Sequence, residues 1–321
     1  MNIKEIDISW NENYSIFASE HYLRSQSNEY GWIGGYDEKK LYYILPYVKF
    51  KNFLYKLVRF PTATIHVEIN RTNNEKEFLE KIIEYFKEKN IDLILPPQTN
   101  AIFNTFPDNS SNTEFGTYKI KLKRHEEDLW NNIHSKHKNK IRKGLKSGIQ
   151  ILNDKKYSDI AYSLIRDTLS RSKMKFMPKS SFLRLMNNLK NNLEIFIAFH
   201  DNIPQGCAVV PYSKYSAYYL FGGSTNKPST GSLNYLQWEI MKYFNNKDIN
   251  YYDMVGARVN PQKNSKLEGI QKFKKRFGAE LYKGYLWKYS YNKIKEKGFS
   301  IIYKLTRNKN GDIIEQENKK R

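Results

Sequence analysis

At 321 residues the chain is longer than one hydrophobic core usually organises, so two domains are expected. An apolar content of 40% can fill cores, while a mean hydropathy of -0.74 and the lack of a long apolar run argue against a membrane-spanning helix. The formal net charge of +21 favours polyanions (nucleic acid, phosphorylated small molecules or anionic lipid), although a lysine-rich composition can arise without any such partner.

Cys207 is the only cysteine, which excludes an internal disulfide; in a β-rich run it reads as a small buried residue rather than a nucleophile. The six histidines show no metal-ligand spacing with acids or thiols, so neither a metal nor a resident cofactor is expected. Residues Met1 to Asp7 carry no signal-peptide core, which points to the cytoplasm.

Taken in chain order, strand-like runs at Lys40 to Tyr47 and Lys56 to Phe60 precede a helix from about Asn74 to Lys89, with Phe78, Ile82, Ile83 and Phe86 on one face. Ile91 to Leu95 reads as a buried strand stopped by Pro96-Pro97. Residues 98–116, rich in Asn, Thr, Ser and Pro, read as a connection, and Thr117 to Leu122 as a strand. Leu129, Ile133, Ile141 and Leu145 then form an i, i+4 stripe ending at Gly148. The other faces carry Lys136, Lys138, Lys140, Arg142, Lys143 and Lys146 without an acid; Lys138, Arg142 and Lys143 are expected to meet a polyanion. Helices follow at Ile160 to Ser170 and Phe182 to Leu189. Between them Arg171 is placed to clamp a phosphate or to make a helix-end contact.

The chain is organised around residues 204–278. Two β-rich runs, Gly206 to Tyr212 and Lys214 to Gly222, lead to a helix from Ser232 to Phe244 and a strand Asn250 to Gly256. Strand, crossover helix and strand make a parallel βαβ unit, and ligands sit beyond the carboxyl ends of such strands. Those ends hold Tyr219, Ser224 and Arg258, expected to line the substrate. The helix-to-strand junction also repeats: Ile82, Tyr85, Phe86, Lys89 and Ile91 recur 158 residues later as Ile240, Tyr243, Phe244, Lys247 and Ile249, which suggests a duplicated unit. Glu280 to Tyr289 is a final strand, Lys293 to Thr306 a basic amphipathic helix interrupted by Gly298, and Asn308 to Arg321 a polar tail expected to be disordered.

Pro204-x-Gly206, Tyr218-Tyr219-Leu220-Phe221-Gly222-Gly223-Ser224, Leu236-x-Trp238, Tyr252-Asp253-x-x-Gly256 and Phe273-Lys274-x-x-Phe277-Gly278, in that order, resemble the Fem family. These are non-ribosomal peptidyltransferases that build peptidoglycan cross-bridges, within the acyltransferase superfamily of N-acetyltransferase (GNAT) fold. The resemblance covers residues 117–290 well and implies an α/β fold of two tandem GNAT-like domains. They are expected at 1–116 and 117–290, with a basic helix and tail at 291–321. It implies transfer of an amino acid from aminoacyl-tRNA to an amine on a UDP- or lipid-linked peptidoglycan precursor, at the inner membrane face. The family's catalytic lysine maps onto Lys274, with Phe273 beside it. Lys275 and Arg258 could hold phosphates. Asp253 either handles the attacking amine or caps a turn supporting Gly256. Two departures stand: no coiled-coil arm, and no Gln/Arg-x-x-Gly-x-Gly/Ala turn for coenzyme A, the nearest candidate being Thr230-Gly231-Ser232. Acyl-coenzyme A as donor, with a nucleotide sugar or polysaccharide acceptor, and a non-catalytic polyanion binder remain as alternatives.

Overall fold

The computed structural model describes residues 1–8, 10–67, 74–306 and 310–319. The chain begins with β1 (Asn2–Ile6), α1 (Glu20–Gln26), β2 (Glu29–Asp37), β3 (Lys40–Lys51), β4 (Lys56–Arg59), β5 (Ile65–His66), α2 (Glu75–Glu88) and β6 (Leu93–Ile94). It continues through β7 (Ser111–Lys121), α3 (Glu126–Asn132), α4 (Ser135–Lys146), β8 (Gln150–Asn153), α5 (Ser158–Ser170), α6 (Lys179–Asn188), β9 (Leu193–His200), β10 (Ile203–Pro211), β11 (Ser216–Tyr218) and β12 (Phe221–Ser224). Last come α7 (Ser232–Asn246), β13 (Tyr251–Asp253), α8 (Lys266–Lys275), β14 (Glu280–Ser290), α9 (Lys293–Thr306) and α10 (Ile313–Asn318). Two compact units result: residues 1–11, 17–117 and 283–321, and residues 12–16 and 118–282. The final helices, expected from sequence as a third segment, thus return to the first unit.

In the first unit β1, β2, β3 and β4 pair antiparallel in turn, and β4 then pairs parallel with β6 (Leu57↔Leu93, Val58↔Ile94). A parallel pair needs a crossover, and α2 supplies it. Phe78, Leu79, Ile82 and Phe86 of α2 are fully buried against Tyr43, Leu45, Val58, Phe60 and Trp287. Residues 111–116 extend β7 instead of forming a connection. Their Ser/Asn/Thr composition hid an alternation in which Thr113, Phe115 and Thr117 all point inward. The expected disorder of the tail is corrected where it is described: Ile313–Asn318 is helical, Asp312 caps it through Ile314 N (2.9 Å) and Glu315 N (2.9 Å), and Ile314 is buried. Residues 308–309 and 320–321 lie outside the described residues.

The second unit has a four-stranded antiparallel sheet in the order β12-β10-β9-β8, the β9–β10 hairpin turning on two left-handed residues, Asp201 and Asn202. Separately, β11 pairs parallel with β13 (Ala217↔Tyr252), and β13 pairs antiparallel with the end of β7. The crossover between β11 and β13 is α7, whose Leu236, Ile240, Met241 and Phe244 enter the core. The basic segment is two helices, not one. Leu145 is exposed and His137, Ile141 and Gly144 form the inward face of α4, because Gly144 must lie against the backbone of Gly231 at the start of α7. Among the described residues no helix is long and apolar enough to cross a membrane.

Candidate active site

The run from Ser216 to Ser224 belongs to two sheets. Ser216 to Tyr218 lie on β13. Tyr219 gives one more bond, its N–H to the Asp253 carbonyl at 2.8 Å, and after Leu220 the chain leaves to pair with β10. The parallel strands therefore part at Asp253, although the Met254 N–H still bonds the Tyr118 carbonyl of β7 (2.8 Å), and it is at such a parting that a βαβ unit places its ligands.

Beyond Asp253 the backbone turns through Val255 (φ 43°) and Gly256 (φ 42°), both left-handed. For a β-branched residue this is a costly conformation, about 1–3 kcal/mol, of the sort that persists where surrounding structure imposes it. Two features do so. Asp253 Oδ1 accepts the Val255 N–H at 2.8 Å, and Lys274 Nζ donates to the carbonyls of Val255 and Gly256, the latter at 2.9 Å. Of the two roles expected for Asp253, the structure shows the turn-capping one.

Lys274 stands on the last turn of α8, a helix started by Ser265 accepting from Glu268 N at 3.2 Å and not anticipated from the sequence. It is 8% exposed, and burial lowers its ammonium to about 8, with the charge of Asp253 pulling the other way. Two of its three N–H bonds go to carbonyls, and among the described residues no third acceptor takes the last. The arrangement is a cation in a low-dielectric wall, fixed by a strained turn.

A second lysine joins it that the sequence did not reveal. Lys119, on β7, lies 4.0 Å from Asp253 Oδ2 and within 5.2–5.8 Å of the ring centres of Tyr215, Tyr251 and Tyr282. Burial works against its charge, but Tyr215, Asp253 and Tyr282 outweigh that and hold it above the usual lysine range. Asp253, 1% exposed, thus sits between two cations. Lys119 was hidden in the basic run Lys119-Ile120-Lys121-Leu122-Lys123: strand alternation puts its three lysines on one face, and only the pairing of β7 with β13 sets Lys119 opposite Asp253.

His137 was also missed. Its Nε2 lies 3.1 Å from the Phe273 carbonyl, which can only accept, so Nε2 carries the proton. Its ring lies between Phe273 (5.1 Å) and Phe277 (4.6 Å), and burial pushes its pKa down to about 4, leaving it neutral. His134 N adds a 2.9 Å bond to the Arg276 carbonyl. The basic helix α4 is thereby tied to the helix that carries Lys274.

The other expected residues fall into three groups. Phe273 packs on the core beside His137 and Phe277, so its part is to seat Lys274. Tyr219 lies over Gly222, where any Cβ would strike its hydroxyl, and burial drives its pKa up; it faces inward. Ser224 and Arg171 are tied together: the Ser224 N–H donates to Thr168 Oγ1 (2.9 Å), and its carbonyl accepts from Thr168 (3.1 Å) and Arg171 (2.7 Å), so of the two roles expected for Arg171 the structure shows the helix-end contact. Arg258 is half-buried just past the strained turn, and Lys275 is exposed beside Lys274. On α4, Arg142 and Lys143 are exposed and Lys138 half-buried; Lys138 and Arg142 lie over the Trp130 ring at 5.8 and 5.3 Å. Among the described residues no three His, Cys, Asp or Glu side chains come together as metal ligands.

The start of α7, where a pyrophosphate would rest in an acyl-coenzyme A enzyme, is covered. Gly231 (φ 94°) is its N-cap, and a Cβ there would collide with the Lys140 carbonyl and Gly144 N of α4.

A sheet that splits at a parallel βαβ unit, in a chain of two such units, can be compared with solved structures. The chain shares its fold with FemX. The FemX crystal structure aligns with 94% of this chain and 99% of its own at a TM-score of 0.68 and 14% identity. A conserved protein of unknown function from Bacteroides thetaiotaomicron aligns over 83% and 88% (TM-score 0.51, 12% identity), and L-PGS from Bacillus licheniformis over 80% and 84% (TM-score 0.50, 9% identity). No family model matches the sequence, and no curated protein matches it. The α/β architecture expected from the sequence is therefore borne out as the fold shared with FemX. Identities this low speak for fold alone.

Proposed function

We propose that the protein is an aminoacyltransferase that joins an amino acid, carried as the ester of tRNA, to an amine of a UDP- or lipid-linked peptidoglycan precursor. The observation that carries this reading is the buried ammonium of Lys274, fixed by the Val255 and Gly256 carbonyls where β11 and β13 part. Aminolysis forms a C–N bond, breaks the ester C–O bond, and passes through a tetrahedral oxyanion. A cation already in place stabilises charge that exists only in the transition state. The remaining Lys274 N–H is available to that oxyanion. The amine loses its proton and the departing ribose oxygen gains one. Asp253 acts as a positioning residue, capping the turn that aims the two carbonyls and balancing Lys274 and Lys119.

Two further observations favour tRNA over acyl-coenzyme A. The start of α7 is closed by α4, and the exposed basic face of α4 suits a phosphate backbone whose contact would reach α8 through His137 and His134. The test uses nuclease-treated protein, tRNA charged with labelled amino acids, and a lipid-linked precursor, with labelled acetyl-coenzyme A in a parallel tube. Label passing from tRNA to the precursor is the expected result. Label passing only from coenzyme A would overturn the donor assignment, and tight tRNA binding without transfer to the precursor would favour a binder.

A further inference from the structure

The first unit carries apolar side chains in solvent at two adjoining places. One is the tip of the β3–β4 hairpin. Asn52 builds the turn: its N–H donates to the Tyr55 carbonyl (3.0 Å), and its Oδ1 accepts from Leu54 N (2.9 Å) and Tyr55 N (2.8 Å). That network pushes Phe53 and Leu54 outward, Phe53 being 99% exposed, where turn corners normally carry polar residues or glycine. The other is α9. Ile294, Ile301, Ile302 and Leu305 form one stripe along it, all exposed, with Leu305 at 81%. Its opposite side faces the unit through Phe299, Lys295 bonded to Asp92 (2.8 Å), and Ser300 and Lys304 bonded to Glu315 (3.1 and 3.0 Å).

The two places meet. Tyr55, next to the hairpin tip, sets its ring edge-on to Phe299 at 5.5 Å, and its hydroxyl lies 2.9 Å from where a Cβ on Gly298 would be, closer than a real Cβ tolerates. Gly298 therefore does not break the helix; it lets the hairpin seat against the middle of α9. Around this apolar surface stand the exposed Lys51, Lys56, Lys293 and Lys297, with Glu296 the only acid within α9.

We propose that the Phe53-Leu54 hairpin and the outer stripe of α9 form a membrane-docking surface, inserting shallowly into a bilayer whose anionic headgroups meet the surrounding lysines. Charge complementarity decides the occupant. Lys293 is paired with Glu296 (3.0 Å); a protein partner of ordinary composition would still need acids facing Lys51, Lys56 and Lys297 around a projecting apolar tip, whereas an anionic leaflet supplies both the charge and the apolar depth. A rigid tip loses little conformational freedom on insertion, which favours it over a floppy loop. The surface lies wholly in the first unit and needs no assumption about the reaction, so it can fail or hold independently of the proposed activity.

The test is flotation of the full chain with vesicles of phosphatidylglycerol and phosphatidylcholine, against phosphatidylcholine alone. Binding to the anionic vesicles is expected, weakened but not abolished by salt. The variants Phe53→Asp and Ile301→Asp, at exposed positions, should keep the wild-type melting temperature and bind about tenfold more weakly or worse. Phe53→Trp should show, by difference from the wild type, an emission shift to the blue on vesicle addition and quenching by brominated lipid. Overturning results are equal affinity for neutral and anionic vesicles, Asp variants that bind as well as wild type, a Phe53→Trp signal untouched by lipid, or a solution dimer that Ile301→Asp dissociates.

Discussion

The two βαβ units, β4-α2-β6 and β11-α7-β13, are built alike up to one residue and differ after it. Both crossover helices end in the same way. Asn90 (φ 53°) and Asp248 (φ 58°) turn left-handed; Asn90 N bonds Lys87 O (3.0 Å) and Ile91 N bonds Phe86 O (3.1 Å), while Asp248 N bonds Asn245 O (3.1 Å) and Ile249 N bonds Phe244 O (3.2 Å). These are Schellman motifs, and the phenylalanine and isoleucine of each are the apolar pair that the motif brings together. Tyr85 and Tyr243 each donate to a glutamate on a strand, Glu5 and Glu194, and Lys89 and Lys247 each lie over that tyrosine ring. The repeat legible in the sequence is therefore a repeated way of ending a helix and starting a strand. Past the strands the likeness stops. The first unit continues Leu95-Pro96-Pro97, and the end of β6 faces a pocket lined by Phe299, Ser300 and Tyr303 of α9 and by Lys288, which pairs with Asp312 (2.6 Å) and Glu315 (3.2 Å). The second continues Asp253-Met254-Val255-Gly256 and leaves that end to Lys274. One scaffold serves twice, and the chemistry depends on the residues just past each strand.

The comparison breaks most violently in the shared scaffold. Phe86→Ala and Phe244→Ala should each cost about 3–5 kcal/mol by emptying a fully buried site, measured by denaturant unfolding. Unequal costs would mean that only one junction holds its unit together.

The two strand ends should also respond differently to pH. Lys274 has a folded pKa of about 8 against an ordinary 10.5, so between these values the unfolded chain holds the extra proton and stability rises with pH. The gain should be on the order of 3 kcal/mol across that window, absent in Lys274→Met. Transfer should run the other way, falling as pH rises through 8 and the ammonium is lost.

Lys288 supplies the contrasting case. Lys288→Met removes the cation facing Asp312, while Glu315 keeps Lys304 and Ser300, and should cost about 2 kcal/mol in thermal unfolding, with no loss of transfer rate at a permissive temperature. The smallest effect belongs to the helix ends. Asn90→Gly and Asp248→Gly should each be neutral or stabilising by up to about 1 kcal/mol, since glycine takes the left-handed position without strain.

The sequence made legible what is local. α2 and α7 follow from apolar spacing, β9 and its turn from Asp201-Asn202, and Lys274 from its place between Phe273 and Phe277 in a resembling motif. What it concealed depends on long-range pairing. Lys119 reaches Asp253 only because β7 lies beside β13, across 134 residues of chain. For Arg171 the sequence offered a phosphate or a helix-end contact, and nothing local indicated that the partner would be the Ser224 carbonyl, 53 residues on. The ordered tail likewise depends on Ile314 finding Phe115 and Leu286, which no reading of a polar segment supplies.

The central claim is that the charge of Lys274, held at the parting of β11 and β13, speeds the transfer itself. Its most direct measurement is the single-turnover rate of aminoacyl transfer by Lys274→Met, with charged tRNA saturating so that binding does not enter. A rate about a hundredfold or more below wild type is expected, at unchanged tRNA affinity and with the fold intact by its melting curve. A rate within about threefold of wild type would contradict the claim.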